Sequence, residues 1–352
     1  MKMFLSKLIT DNMKIGLLSL KRFENIQTGQ GIPRYIQELY TNLKVIKNSN
    51  DVKKIILPNF KWDALSFYFG TFNKDFTNVD VIHNPIGFLP LATNKKKKYV
   101  VTIHDALPVN QHNFKWSLWH KLFFTRGIQN AITTADKIIT DSLQTSQELI
   151  TLGCDKDKLQ IVSLGIDKRF SFNKTDIKKS NNFLIGYIGS FASYKNIESL
   201  FDVVNYLNKT EFKIELWGHK TYIYNYLKLK SQFSNMITFP GFAPEPELIK
   251  IYDTFDVFVF PSLYEGFGLP ILEAQARELP VIIYKKSKIS KEVRKYCFEA
   301  EDPVHMAQII QELKENGYNE KTKKKATEYA RSFTWEKTAI ETLSVYTSMR
   351  EL

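Results

Sequence analysis

Glu265 and Glu273 flank a glycine-punctuated stretch, EGFGLPILE, in which Gly266 and Gly268 open the backbone to close approach by a ligand. The residues before it, Val257, Phe258, Val259 and Phe260, form an unbroken apolar run closed by Pro261, the pattern of a buried strand. Pro270 suits the first position of a helix, which would place Glu273 in the first turn. A helix start offers free amides and partial positive charge, and these suit an anion such as a diphosphate. Glu273 would repel that anion. Two charge-assisted hydrogen bonds to a neutral diol such as a ribose fit it better, the alternative being a carboxylate that only complements the helix dipole.

Three more loops carry candidates. In GYIGSFASYKNIESL, Lys195 follows a strand and a glycine and can reach a phosphate as a mobile point charge, or else face solvent at a helix start. In IGLLSLKRFENIQTGQGIPRYIQEL, Gly29 and Gly31 precede Pro33 at a helix start. This is not a G-x-G-x-x-G fingerprint, so a nicotinamide cofactor gains little support, and a plain tight turn is the competing reading. In KYVVTIHDALP, a strand delivers His104 and Asp105 to its carboxyl end, where His104 could instead be a core residue and Asp105 a turn cap. Asp155-Lys156-Asp157 reads as a solvated turn. Cys154 and Cys297 are far apart, without metal-like spacing, and point to a reducing compartment.

These loops need strands and helices to hold them. Short apolar runs alternate with amphipathic stretches throughout. MKIGLLSL, VKKIILPNF, VDVIHNP, KYVVTIHD, DKIITDS and KLQIVSL read as strands in the first half, and FLIGYIGS, FKIELWG, MITFPGF, DVFVFPS and PVIIY in the second. Helical patterns fall at 33–43, 118–133, 197–207 and 245–252. This alternation is the signature of parallel sheets covered on both faces, an α/β class. The polar segment 171–182 reads as a linker between two Rossmann-like, doubly wound domains, 1–170 and 183–333. A helix at 334–352 is expected, with Trp335, Ala339, Leu343 and Tyr346 along one stripe. Open sheets of this kind bind ligands at the carboxyl ends of their strands.

Composition narrows the class. At 352 residues, 43% apolar and 24% charged, the chain is long enough for two domains and is not disordered. The net charge of +12 is spread in short lysine clusters, which argues against a nucleic-acid stripe. No apolar run is long enough for a signal core or a spanning helix, so a cytoplasmic location is expected. Peripheral contact with the inner face of the cell membrane is left open. Trp116, Trp119, Phe123 and Phe124, with Lys115, Lys121 and Arg126, could form a lipid or acceptor surface, or ordinary core.

PSLYEGFGLPILEAQA closely resembles the E-x7-E segment of retaining glycosyltransferases of family four, in particular the mannosyltransferase-like group, whose fold is GT-B. The resemblance is specific over the second half and patchy over the first. It implies two Rossmann-like domains facing a cleft, with the final helix crossing back to the first domain. It implies that Glu265 and the amides of Gly266, Phe267, Gly268 and Leu269 contact the donor sugar and phosphates, and that Glu273 holds the ribose. Lys195 matches the second member of the family's basic pair, whereas Ser190 stands where the arginine is usual. Gly29 and Gly31 match the glycine loop over the donor phosphates, with Arg34 and Asp105 on the acceptor side. His104 matches a histidine that hydrogen-bonds the donor sugar, and the backbone at Gly241 and Phe242 would meet the base. In ARELPVI, Glu278 replaces a common glycine. The implied reaction moves a hexose from a nucleoside diphosphate sugar to a saccharide or polyprenyl-linked acceptor, with no cofactor and no metal. An epimerase of the same fold and a non-catalytic binding protein are the alternatives. Donor sugar, nucleobase, acceptor and oligomeric state stay open.

Overall fold

The computed structural model describes residues 12–24, 31–47, 51–57, 78–87, 97–106, 118–172, 181–219, 224–231 and 235–349. The chain divides into two compact units, one comprising Met1–Gly165 with Thr334–Leu352 and the other Ile166–Phe333.

The first unit is built on a six-stranded sheet in the order β2-β1-β3-β4-β5-β6. Its strands are β1 (Ile15–Leu20), β2 (Val52–Leu57), β3 (Val81–Asn84), β4 (Lys98–Ile103), β5 (Lys137–Thr140) and β6 (Leu159–Ile161). All pairings are parallel; β1 and β2 run in step from Ile15 opposite Val52 to Leu20 opposite Leu57. Such a sheet needs crossover helices, here α1 (Gly31–Ile46), α2 (Leu118–Thr134) and α3 (Leu143–Thr151). Ser142 caps α3 by accepting from the Thr145 amide.

The second unit repeats the plan, in the order β12-β11-β10-β7-β8-β9. Its strands are β7 (Phe183–Ile188), β8 (Phe212–Trp217), β9 (Ile237–Gly241), β10 (Val257–Phe260), β11 (Val281–Tyr284) and β12 (Phe298–Ala300). Central β10 is fully buried along its length, as a strand covered on both faces must be. The helices used below are α4 (Leu248–Thr254), α5 (Leu269–Ala276), α6 (Pro303–Asn316) and α7 (Glu320–Arg331). The last helix, α8 (Trp335–Ser348), belongs to the first unit, with Trp335, Ala339, Leu343 and Tyr346 all buried.

Three details differ from the sequence reading. β12 was not anticipated, because its three residues, FEA, lack an apolar run. The helix expected over 197–207 is a short α-helix, Ser199–Val203, that tightens into a 3₁₀ turn, Val204–Tyr206. The division between units falls at Gly165 rather than at 170. Phe170 is buried against Tyr252 in the second unit, and the Arg277 guanidinium donates to the carbonyls of Phe170 and Phe172. Arg277 also makes a two-pronged, fully buried pair with Asp253, at 2.8 Å on each arm.

Candidate active site

β7 and β10 are sheet neighbours, so the loops at their carboxyl ends emerge side by side. The Leu263 amide donates to the Tyr194 carbonyl at 2.8 Å and ties the two loops together. A third loop, after β11, braces them: the Glu265 amide donates to the Lys288 carbonyl, the Lys288 amide to the Leu263 carbonyl, and Ser287 Oγ to the Ser262 carbonyl. On this scaffold Lys195 Nζ donates to Glu265 Oε1 at 2.5 Å, with both side chains 13% exposed. The ammonium also lies 5.2 Å from the Tyr194 ring centroid and 5.6 Å from that of Phe260. With little water to screen it, this pair interacts more strongly than a surface ion pair. Ser190 is half-buried, and its carbonyl accepts from the Tyr187 hydroxyl at 2.9 Å. Burial, with the charge of Glu265 added, holds that hydroxyl protonated far above the ordinary tyrosine range.

Gly268 caps α5 in the left-handed region, with φ of 109°. Because α5 begins directly after it at Leu269, one residue before Pro270, the first turn holds no acidic residue. Glu273 therefore opens the second turn, which corrects the expectation that it lies in the first. Its side chain is buried at 3% exposure, and Oε2 accepts from the Tyr252 hydroxyl of α4 at 2.9 Å. Phe267 packs its ring against Phe333, so only its backbone can serve a ligand. Gly266 and Leu269 are half-buried.

At the neighbouring strand ends, Phe242 stacks on His219, with centroids 4.2 Å apart and planes at 25°. The backbones here crowd: a Cβ on Gly218 would sit 1.8 Å from the Gly189 carbonyl oxygen. His219 Nε2 is buried and has no hydrogen-bond partner among the described residues.

In the first unit, His104 and Asp105 follow β4 directly, as the sequence suggests. His104 Nδ1 lies 2.6 Å from Asp141 Oδ2, and Nε2 donates to the Pro85 carbonyl at 3.0 Å. Both ring nitrogens are thus engaged, so a sugar would have to take Nε2 from Pro85. Burial alone would lower the affinity of the ring for its second proton. The charge and hydrogen bond of Asp141 more than reverse this, and Asp105 adds to the effect, leaving His104 above the ordinary histidine range. Tyr35 of α1 meets the ring edge-on at 4.8 Å. Arg34 is half-buried in the first turn of α1, which opens at Gly31, where an added Cβ would meet no atom of the described residues within 4 Å. Gly29 lies outside the described residues, as do Lys115 and Trp116 and the side chains of Trp119, Lys121 and Phe123. Phe124 is half-buried and Arg126 exposed. Asp155 caps a 3₁₀ turn by accepting from the Asp157 amide, so the D-x-D stretch is a turn.

The sequence matches the family described as Glycosyl transferases group 1 over residues 167–333, and Glycosyltransferase Family 4 over 45–170. Together the two matches run from residue 45 to residue 333, and with the mannosyltransferase relatives they support a family 4 glycosyltransferase. Among curated relatives of this chain is O-antigen chain mannosyltransferase B of Escherichia coli, 28% identical over 46% of this chain and 44% of that protein. An uncharacterized glycosyltransferase of Methanocaldococcus jannaschii is 25% identical over 91% of this chain and 95% of its own length. The chain spans about half the length of the first curated relatives it matches. In fold, the chain is similar to sucrose-phosphate synthase from Thermosynechococcus elongatus, with a TM-score of 0.76 at 17% identity over 96% of this chain and 99% of that one. It is also similar to Anabaena HepE in complex with UDP and glucose, with a TM-score of 0.68 at 15% identity over 97% and 100% of the two chains. The fold is GT-B.

Within each unit, the structure gathers residues that the sequence left apart. Lys195 meets Glu265, and Glu273 lies on the helix that leaves the same loop. Sequence reasoning missed Asp141, Tyr252 and His219. Asp141 and His219 do follow strands, β5 and β8, so the rule that led to His104 could have flagged both. Tyr252 gives no sequence signal beyond its place on an apolar helix face. No helix among the described residues is long and apolar enough to cross a membrane.

Proposed function

We propose that this chain transfers a hexose from a nucleoside diphosphate sugar to a hydroxyl of a saccharide or lipid-linked saccharide, with retention of anomeric configuration, in the synthesis of a cell-surface polysaccharide or glycoconjugate. The observation that carries the reading is the Lys195–Glu265 pair, braced at the carboxyl ends of β7 and β10 beside the glycine-capped start of α5. An incoming diphosphate brings negative charge toward Lys195 and the amides of Gly266 to Leu269. Lys195 then turns from one carboxylate toward the phosphates, and Glu265 is released to accept from sugar hydroxyls. As the glycosidic bond breaks, charge grows on the departing diphosphate, and the ammonium and amides that already face it stabilise that charge without further movement. Glu273, held by Tyr252, is placed for the ribose diol. The leaving phosphate takes the acceptor proton on the same face. With no arginine at position 190, the side-chain charge falls to Lys195. Action at the cytoplasmic face, with peripheral membrane contact, fits a lipid-linked acceptor.

The names of similar proteins support the substrate class: an O-antigen chain mannosyltransferase in sequence, and a fold neighbour described in complex with UDP-glucose. A thermal-shift panel of nucleoside diphosphate sugars tests it. A true donor at a hundred times its Kd stabilises by about 2.7 kcal/mol, and its relatives do not. A panel in which no nucleotide sugar raises the melting temperature would overturn the reading. Conversion of the donor without any acceptor would favour the epimerase alternative.

A further inference from the structure

Asp141 sits at the carboxyl end of β5, just ahead of the Ser142 cap of α3. It is 2% exposed, and its Oδ1 is buried with no hydrogen-bond partner among the described residues. The other oxygen, Oδ2, lies 2.6 Å from His104 Nδ1. The opposite ring nitrogen faces the Pro85 carbonyl, a group that can only accept, so Nε2 carries a proton. A contact of 2.6 Å between Nδ1 and a carboxylate requires a second proton between them. A neutral imidazole beside an ionised Asp141 would set two acceptors against one another, and although burial raises the Asp141 carboxyl, the charge and hydrogen bond of His104 oppose that rise and favour the proton on the ring.

We propose that Asp141 is a positioning residue that aims Nε2–H of His104 outward and keeps the second proton on the ring to a higher pH than a free imidazole keeps it. The inference rests on the transferase reading for what His104 donates to, namely a substrate hydroxyl that takes over Nε2–H from Pro85. It also removes His104 from the role of general base, because neither nitrogen has a lone pair to offer.

The neighbouring groups agree with a charged His104. His83 of β3 is fully buried between Thr102 Oγ1 at 2.7 Å and the Tyr346 hydroxyl at 2.6 Å. Burial, with the charge of His104 added, lowers it to about 3, so it stays neutral beside a cationic His104. Tyr35 of α1 is fully buried; burial and then the charge of Asp141 hold its hydroxyl protonated. Asp105, next in the chain and half-buried, adds negative charge. From α3, Thr145 Oγ1 donates to the His104 carbonyl at 3.3 Å, which fixes the backbone from which the ring projects.

The test is a pH titration of the His104 ring by NMR in histidine-labelled protein, assigned by the resonance lost in His104→Gln. The wild-type midpoint is expected above the ordinary histidine value of about 6.5, and in Asp141→Asn below it. Asp141→Glu keeps the carboxylate and should keep a high midpoint. Where a donor is turned over, Asp141→Asn lowers kcat/KM by about ten- to a hundredfold, the range for losing the carboxylate that orients a functional histidine. Its pH–rate profile gains a limb absent from the wild type, because an asparagine leaves the ring free to lose its second proton. A wild-type midpoint at or below about 6.5, or one unmoved in Asp141→Asn, overturns the proposal. So does a pH–rate profile parallel to that of the wild type. The wild-type titration needs no substrate, and His104→Gln serves only to assign its resonance. It therefore decides the state of His104 even if the transferase reading fails in the donor panel.

Discussion

Lys195 and Glu265 stand 70 positions apart in the chain, and their charged groups meet at 2.5 Å. The contact exists because β7 and β10 are neighbours in a parallel sheet, which sends both following loops to one edge. A lysine held this way is positioned before a donor arrives, and its carboxylate partner is positioned with it.

Removing the cation should slow chemistry more than binding. One charge about 4 Å from the leaving phosphate is worth about 4 kcal/mol at an effective dielectric near 20, or about a thousandfold in rate. Lys195→Ala should therefore lower the single-turnover rate by up to about that factor while leaving donor affinity within a few-fold. The two residues should also be non-additive: Lys195→Ala/Glu265→Ala should be no slower than about the slower single variant. A near-normal single-turnover rate in Lys195→Ala would remove it from the mechanism.

Glu273 should act on affinity. A hydrogen bond to a charged group contributes about 1.5–3 kcal/mol, so Glu273→Ala should weaken donor binding by about ten- to a hundredfold by calorimetry. Tyr252→Phe removes the hydroxyl that orients the carboxylate and should weaken binding in the same direction by a few-fold. An unchanged dissociation constant in Glu273→Ala excludes the ribose role.

Glu278 occupies a backbone position that favours glycine. Its φ is 63°, one residue beyond the Arg277 C-cap of α5, where a side chain costs about 1–2 kcal/mol. Glu278→Gly should raise stability by about 1 kcal/mol, since part of that strain is offset by the greater freedom of glycine in the unfolded chain. Gly268→Ala should do the opposite at φ 109°, where the new methyl would also press on Val293 Cγ2 at 3.3 Å. Urea unfolding monitored by circular dichroism separates the two signs.

Acid should destabilise the first unit through His83. Its folded value of about 3 lies below the unfolded value of about 6.5, so between these limits the unfolded chain binds a proton that the native state does not. Stability is complete above pH 6.5 and falls as the pH drops, by about 2 kcal/mol at pH 5. His104 runs the other way, contributing stability that is full below about 6.5 and lost as the pH rises through its elevated folded value. Melting temperatures at pH 7 and pH 5 should show a smaller acid loss in His83→Gln than in the wild type. Equal losses in the two proteins would assign the acid sensitivity elsewhere.

Much of the fold was legible because buried parallel strands announce themselves. VFVF, LIGYI and YVVTI are apolar without alternation, and only a sheet covered on both faces uses such runs. β12 was illegible for the converse reason: FEA buries only Ala300. The loop glycines and both glutamates were visible as residue types. The depth of Glu273 was not, because one left-handed residue, Gly268, moves the helix start and with it the turn on which the carboxylate lies.

The sequence by itself determined the class of fold, the strand-to-helix loops and the identity of the charged residues in them, since these follow from local periodicity and from glycine and proline chemistry. Tertiary structure alone decided which charges touch. Strand order brings Lys195 to Glu265, sets Tyr252 against Glu273 and places Asp141 on His104. Sheet order is set by how all the helices and strands pack at once, and no window of sequence contains it. The carboxylate that meets the His104 ring therefore comes from an aspartate 37 positions away.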